Sequence, residues 1–156
     1  MKFYNPTSLP ELYHSFTLLE PISHLYPNFS DWFFDKVIPG VILGDDKVIL
    51  MEKNNEIAGI SIIKKGVENK LRCLRVSEKY QKTGMGLYLI DESLKQLDCA
   101  KPIVSVAEEM LHEYSRIFIN RYDFDMSYVY KGIYRKGKLE YEFNGNQNLK
   151  KKSIIF

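Results

Sequence analysis

The chain is poor in the residues that would announce a chemistry by themselves. Two cysteines, Cys73 and Cys99, and three histidines are spread over 156 residues. Neither a disulfide framework nor a Cys/His metal cluster is expected from so few, and no metal site is predicted. No stretch approaches the ~20 consecutive apolar residues of a membrane helix. The opening Met1-Lys-Phe-Tyr-Asn-Pro6 has no apolar signal segment, so the expectation is a reduced, cytoplasmic protein with no membrane partner. Net charge is only +2, with 27% charged residues, which excludes a strong electrostatic footprint for nucleic acid. Two phosphate-binding signatures are also missing. There is no Gly, four residues, Gly-Lys-Ser/Thr run, and no three-glycine dinucleotide fingerprint.

What is present is apolar and aromatic bulk. Hydrophobic residues make up 45% of the chain, with eleven Tyr and nine Phe, enough for a core in one domain spanning residues 1–156. Residues 1–45 contain five of the six prolines, so short, interrupted helices are expected there. Asn28 or Ser30 is placed to cap a helix carrying Trp32, Phe33, Val37 and Ile38, with Pro39-Gly40 as its stop. From Lys47 the texture turns β-branched. Runs 47–53 and 56–65 flank Asn54-Asn55, a hairpin signal, and 66–70 turn into a third run, 71–76. A helix after residue 86, a short strand over 103–106, a helix through Leu111, Tyr114, Phe118 and Tyr122, and two strands over 127–135 and 138–143 follow. Residues 145–156 read as a peripheral tail.

The stretch with the most information is Leu71-Arg-Cys-Leu-Arg-Val-Ser-Glu-Lys-Tyr-Gln-Lys-Thr-Gly-Met-Gly-Leu87. An apolar strand leads into a turn with glycines at 84 and 86, and Leu87, Ile90, Leu94 and Leu97 then recur at helical spacing. A helix opening from such a turn directs unpaired N–H groups and the positive end of its dipole to one spot. That is an anion site built of backbone, suited to a phosphate or pyrophosphate. The plain alternative is an ordinary strand-to-helix turn.

Gln81-x-x-Gly84-x-Gly86, following a strand that ends Leu74-Arg-Val76, resembles motif A of the GNAT superfamily, the acyl-CoA-dependent N-acyltransferases. The order of elements over residues 45–144 agrees with that resemblance. It implies an α/β (α+β) fold, with a mixed, mostly antiparallel central sheet splayed between strands 4 and 5 and helices on its flanks. It also implies transfer of an acetyl group from acetyl-CoA to a primary amine on a small molecule or peptide. The alternative it leaves open is a GNAT-fold protein that binds acyl-CoA with weak or no catalysis. The strand edge at Cys73, Leu74, Arg75 and Val76 would pair with the pantetheine arm. The N–H groups of Gln81, Lys82, Thr83, Gly84, Met85 and Gly86 would hold the pyrophosphate, with Lys82 either adding charge or remaining a solvated surface lysine. GNAT chains often pair, and an apolar end at Ser153-Ile-Ile-Phe156 makes a homodimer an expectation.

The catalytic groups are less clearly marked. The tyrosine that the family often uses as general acid falls at Ile119, which cannot donate a proton. Tyr114 lies one turn earlier and is either a substitute acid or core packing. Glu108 and Glu109 follow the fifth strand and are candidate bases, or acidic residues favoured in a first helical turn. His112 is the histidine nearest the expected cleft. A lysine-like amine at pH 7 lies about 4.6 kcal/mol from its free base, against about 1 kcal/mol for an α-amine. A base therefore matters more than an acid for such an acceptor, and either glutamate is expected to outweigh Tyr114.

Overall fold

A computed structural model describes residues 1–145. Strand β1 (Lys2–Tyr4) leads into α1 (Leu9–Ser15), capped by Ser8, whose side chain accepts from the Glu11 N–H. Two 3₁₀ turns, Phe16–Leu18 and Glu20–Leu25, follow. Next comes one helical stretch in three parts: α2 (Phe29–Trp32), a π turn (Phe33–Val37) and α3 (Ile38–Leu43). The expected stop at Pro39-Gly40 is therefore wrong. The π turn before Pro39 disturbs the regular hydrogen-bond ladder, so the missing proline N–H is accommodated early in α3. The helix ends five residues later, at Gly44 with φ 91°. Asn28 stands at the helix start in the left-handed region and makes no side-chain cap. Gly40 serves close approach instead, since a Cβ there would lie 1.7 Å from an Asp46 carboxylate oxygen.

Strands β2 (Asp46–Lys53), β3 (Glu56–Lys64) and β4 (Lys70–Val76) form an antiparallel sheet in the order β1-β2-β3-β4. The β2–β3 turn has Asn54 and Asn55 at φ 53° and 61°, the backbone that a two-residue hairpin of right-handed strands requires. Strand β1 was not anticipated; it is three residues long and pairs with the free edge of β2. Apolar residues fill both faces of β2 and β3. Val48, Leu50, Ile60 and Ile62 pack under the N-terminal helices. Ile49, Met51, Ala58 and Ile63 face the opposite core, which holds Leu89, Ile90 and Leu97 of α4 (Met85–Leu97). A sheet covered on both faces reads as continuous apolar runs, as these strands do.

The second sheet has order β5-β7-β6, from β5 (Val104–Ala107), β6 (Met126–Lys131) and β7 (Leu139–Phe143). Between β5 and β6 lie a 3₁₀ turn (Glu108–Met110), α5 (Leu111–Arg116) and a π turn (Ile117–Arg121). Strand β6 stops four residues short of the expected Arg135, because the chain turns at Gly132, φ 72°. The sheets meet where β4 and β5 run parallel, through Leu71 N–H to the Ile103 carbonyl (3.0 Å) and Ile103 N–H to the Asn69 carbonyl (2.9 Å). Beyond that contact β5 pairs with β7 and β4 with β3, so the two strands part. This is the splay expected between strands 4 and 5. Asn144 and Gly145 are tied to Pro102, Asp125 and Ser127 by hydrogen bonds. The expected tail and the dimer contact at 153–156 otherwise lie outside the described residues.

Candidate active site

The parting of β4 and β5 opens a cavity of about 570 Å³. Its β4 wall is Leu71 to Val76, and its β5 wall is Val104 to Ala107. A bulge lies in the β4 wall: Ile62 opposes Cys73 and Ile63 opposes Leu71, leaving Arg72 as the extra residue. Bulges re-aim side chains and loosen pairing beside sites. Arg72 reaches the buried Asp46 at 2.8 Å and stacks over the Trp32 ring. Among the described residues, no strand pairs with the β4 edge from Cys73 to Val76 on the β5 side.

The glycine turn closes one end. Gln81 Nε2 donates to the Val76 carbonyl at 2.9 Å, clasping the turn to the end of β4, and Thr83 Oγ1 donates to the Tyr80 carbonyl. Lys82 (φ 60°) and Gly84 (φ 84°) are left-handed, so the turn coils tightly before α4 begins at Met85. The first turn of α4 has no side-chain cap and no acidic residue, which leaves its positive end uncompensated. Gly86 is informative in a different way. Its backbone is not left-handed, and a Cβ there would meet only Val76 Cγ2, at an ordinary 3.6 Å. Neither the turn nor the packing requires glycine, and Gly86 faces the cavity.

Of the residues singled out by sequence, Cys73, Leu74, Arg75, Val76, Gln81, Lys82, Gly84, Gly86, Glu109 and Tyr114 line this cavity together. Thr83 and Met85 do not; Met85 is buried in the core beneath the helix start, and Thr83 fastens the turn. Glu108 turns aside, accepting the Leu139 N–H at 2.9 Å, and His112 is exposed on α5 without lining the cavity. Glu109 is gripped by both arms of the Arg135 guanidinium, at 2.8 and 2.7 Å, with Lys138 nearby. That bidentate pair holds its carboxyl at about 2. Tyr114 is half-buried and stacks on Phe118 with ring centroids 5.6 Å apart; burial, reinforced by Glu113 and Cys73, pushes its phenol up to about 12. Burial likewise lifts the Cys73 thiol to about 12, so it is no nucleophile at neutral pH.

Sequence reasoning missed the opposite rim. Tyr26, from the 3₁₀ region after α1, lines the cavity and donates its hydroxyl to Glu140 Oε1 at 2.9 Å. Glu140 and Glu142 are only 4% and 5% exposed. The alternation Leu139-Glu-Tyr-Glu-Phe143 reads as carboxylates on a solvent face; Tyr26 of the N-terminal segment meets Glu140 there, and Tyr130 of β6 donates its hydroxyl to Glu142.

No family model matches the sequence, and no curated protein matches it. Solved structures do resemble it. The ribosomal-protein-S18-alanine N-acetyltransferase from Escherichia coli superposes with a TM-score of 0.69 at 13% identity, covering 96% of this chain and 99% of that one. A GNAT family acetyltransferase from Elizabethkingia anophelis, with acetyl-CoA bound, gives 0.65 at 16% identity over 91% and 95%. A chimera of the spermidine N-acetyltransferase SpeG from Vibrio cholerae with hSSAT gives 0.67 at 12% identity over 92% and 94%. With a sheet parted between parallel strands 4 and 5, a glycine turn opening α4 and these likenesses over nearly the whole chain, the protein has the GNAT fold.

Proposed function

We propose that this chain transfers an acetyl group from acetyl-CoA to a primary amine by direct attack within the β4–β5 cleft. The observation that carries the reading is Gly86: room for a side chain exists on the cavity face of an uncapped helix start, and none is present. Close approach by a ligand is the remaining reason for glycine there. Acetyl-CoA supplies an activated thioester. The free edge at Cys73–Val76 offers main-chain groups to its pantetheine arm as an added strand would, and the N–H groups of Lys82, Gly84 and Gly86, which line the cavity, face its pyrophosphate. Lys82 adds positive charge at the rim. Gln81, Thr83 and Met85 support the turn rather than touch the ligand.

Tyr114 is the hydrogen-bond donor in this reading. A phenol held at about 12 keeps its proton at neutral pH and can donate a hydrogen bond to the leaving thiolate, whose reference pKa of ~8.5 lets it depart without full proton transfer. Backbone N–H near Val76 is the donor toward oxyanion charge. Glu109 is reassigned: a carboxyl held at about 2 by Arg135 is too weak a base for an amine, and it serves instead to brace the β6–β7 loop against the cleft. Glu108 and His112 have no part in the reaction.

Calorimetry with acetyl-CoA and a thiol-release assay test this together. Spermidine and a peptide beginning with alanine are the acceptor probes, since two structural neighbours are named for such acceptors. Micromolar acetyl-CoA binding with turnover of either probe supports the proposal. Binding without turnover across a wider amine panel favours a non-catalytic acyl-CoA-binding protein, which Ile119 in the customary tyrosine position keeps in view. No binding defeats both.

A further inference from the structure

The cleft has a second wall with its own chemistry. Val104, Val106 and Phe143 pack in the core that holds α4, so alternation sends Ser105, Ala107, Glu140 and Glu142 to the other face of the second sheet. Glu140 lies opposite Ala107, and Ala107 lines the cavity. The only hydrogen bond described for the Glu140 carboxylate comes from Tyr26, which lines the cavity itself. The Tyr134 ring closes on Tyr26 edge-on, at 5.5 Å between centroids. A buried carboxylate is thus joined to the cleft through one phenol.

Resting on the acetyltransferase reading, we propose that Tyr26 and Glu140 form a proton relay that strips the acceptor's ammonium group before attack. The N–H bond of the ammonium breaks and its electron pair stays on nitrogen. Tyr26 Oη takes the proton and hands its own to Glu140 Oε1, so Tyr26 is unchanged and Glu140 becomes a neutral acid. The free amine then attacks the thioester. Glu140 acts through Tyr26 and is a positioning and proton-storing residue rather than one that touches substrate.

The groups around Glu140 suit that work. Tyr26 faces it from the N-terminal segment, Tyr134 and Arg135 from the β6–β7 loop, and Glu109 from the 3₁₀ turn after β5. Burial raises the Glu140 carboxyl, the Tyr26 hydrogen bond and Arg135 lower it, Glu109 raises it, and the balance stands at about 7. Such a group is ionised for roughly half the time at neutral pH and accepts a proton far better than Glu109. Tyr26, raised by burial and by Glu140, enters the relay protonated.

The test uses the full chain in two measurements. Carbon-detected NMR titration of the glutamate carboxyls is expected to show one group titrating near neutrality, absent in Glu140→Gln. If every carboxyl titrates in the ordinary range, the relay is overturned whatever the turnover. With whichever of spermidine or the alanine peptide is acetylated, kcat/KM is expected to fall as pH drops through about 7. In Glu140→Gln and in Tyr26→Phe it should be reduced about 10²-fold or more, with that limb flattened. Acetyl-CoA affinity by calorimetry should stay unchanged in both. Wild-type turnover whose acid limb survives in both variants overturns the relay and leaves the acetyltransferase reading standing. Acetyl-CoA binding without any turnover overturns that reading, and the relay with it.

Discussion

One wall of the cleft is made by a single continuous stretch, β4 through the start of α4, residues 71–87; across it stand Tyr26, the β5 end, Glu109 and Tyr114, with Glu140 and Tyr134 contacting Tyr26 and Arg135 contacting Glu109. The first works largely through backbone: a free strand edge, a left-handed turn at Lys82 and Gly84, an uncapped helix. The second works through side chains whose charge states depend on burial. Glu109 and Glu140 make the contrast plain. Both lie at the β5–β7 end of the cleft, yet Arg135 pins one at about 2 while burial lifts the other to about 7. A backbone site tolerates many side chains and is sensitive to Cβ volume. A side-chain site is sensitive to each partner and insensitive to the local sequence around it.

That contrast can be broken in four places, taken in order of expected effect. Gly86→Asp should abolish acetyl-CoA binding, since it adds both bulk and negative charge at the helix start. Calorimetry on the folded variant decides the matter, and normal affinity would remove the phosphate cradle from the proposal. Tyr114→Phe should lower turnover by about 10²-fold, at the modest end for a lost acid because the thiolate is a tolerable leaving group. Glu109→Gln should stay within a few-fold, which reverses the order expected from sequence. Kinetics showing a collapse in Glu109→Gln alone would return the base to that position.

The third effect concerns stability. A carboxyl held at about 7 when folded, against an ordinary 4.5, binds its proton more tightly in the native state. Its stabilising contribution is therefore full below the ordinary value and is lost as pH rises toward 7. Glu140→Gln should gain stability over wild type across that window, read as denaturant midpoints at about pH 5 and about pH 8. A constant difference would mean that Glu140 does not titrate there. The smallest effect is expected of Gly86→Ala. Removing a glycine from a helix is worth about 0.5–1 kcal/mol, and the new Cβ meets only ordinary contact. The variant should melt slightly higher while binding acetyl-CoA more weakly. Unchanged binding would mean that the ligand does not approach Gly86.

How much of this was legible in the chain differs between the walls for a physical reason. The coenzyme wall is local. Strand, turn and helix are adjacent in sequence, and each leaves a mark in periodicity or glycine placement. The Asn54-Asn55 hairpin was legible for the same reason, because a two-residue turn needs positive φ at both positions. The helix over 29–43 was misread at Pro39 because the π turn that admits the proline depends on how Phe33 and Val37 bury, not on a local motif. Likewise Glu108 and Glu109 stand side by side after β5, yet one accepts from Leu139 and the other from Arg135.

The sequence by itself determined the succession of strands, the Asn54-Asn55 hairpin and the glycine turn, since those follow from backbone preference and hydrophobic periodicity over short spans, and the fold class followed from the family resemblance that the turn carries. Only the tertiary structure decided which carboxylate sits buried beside the cleft and which phenol reaches it. Glu140 and Tyr26 are 114 positions apart, and their hydrogen bond exists because the N-terminal segment covers a strand face that alternation alone would leave to water.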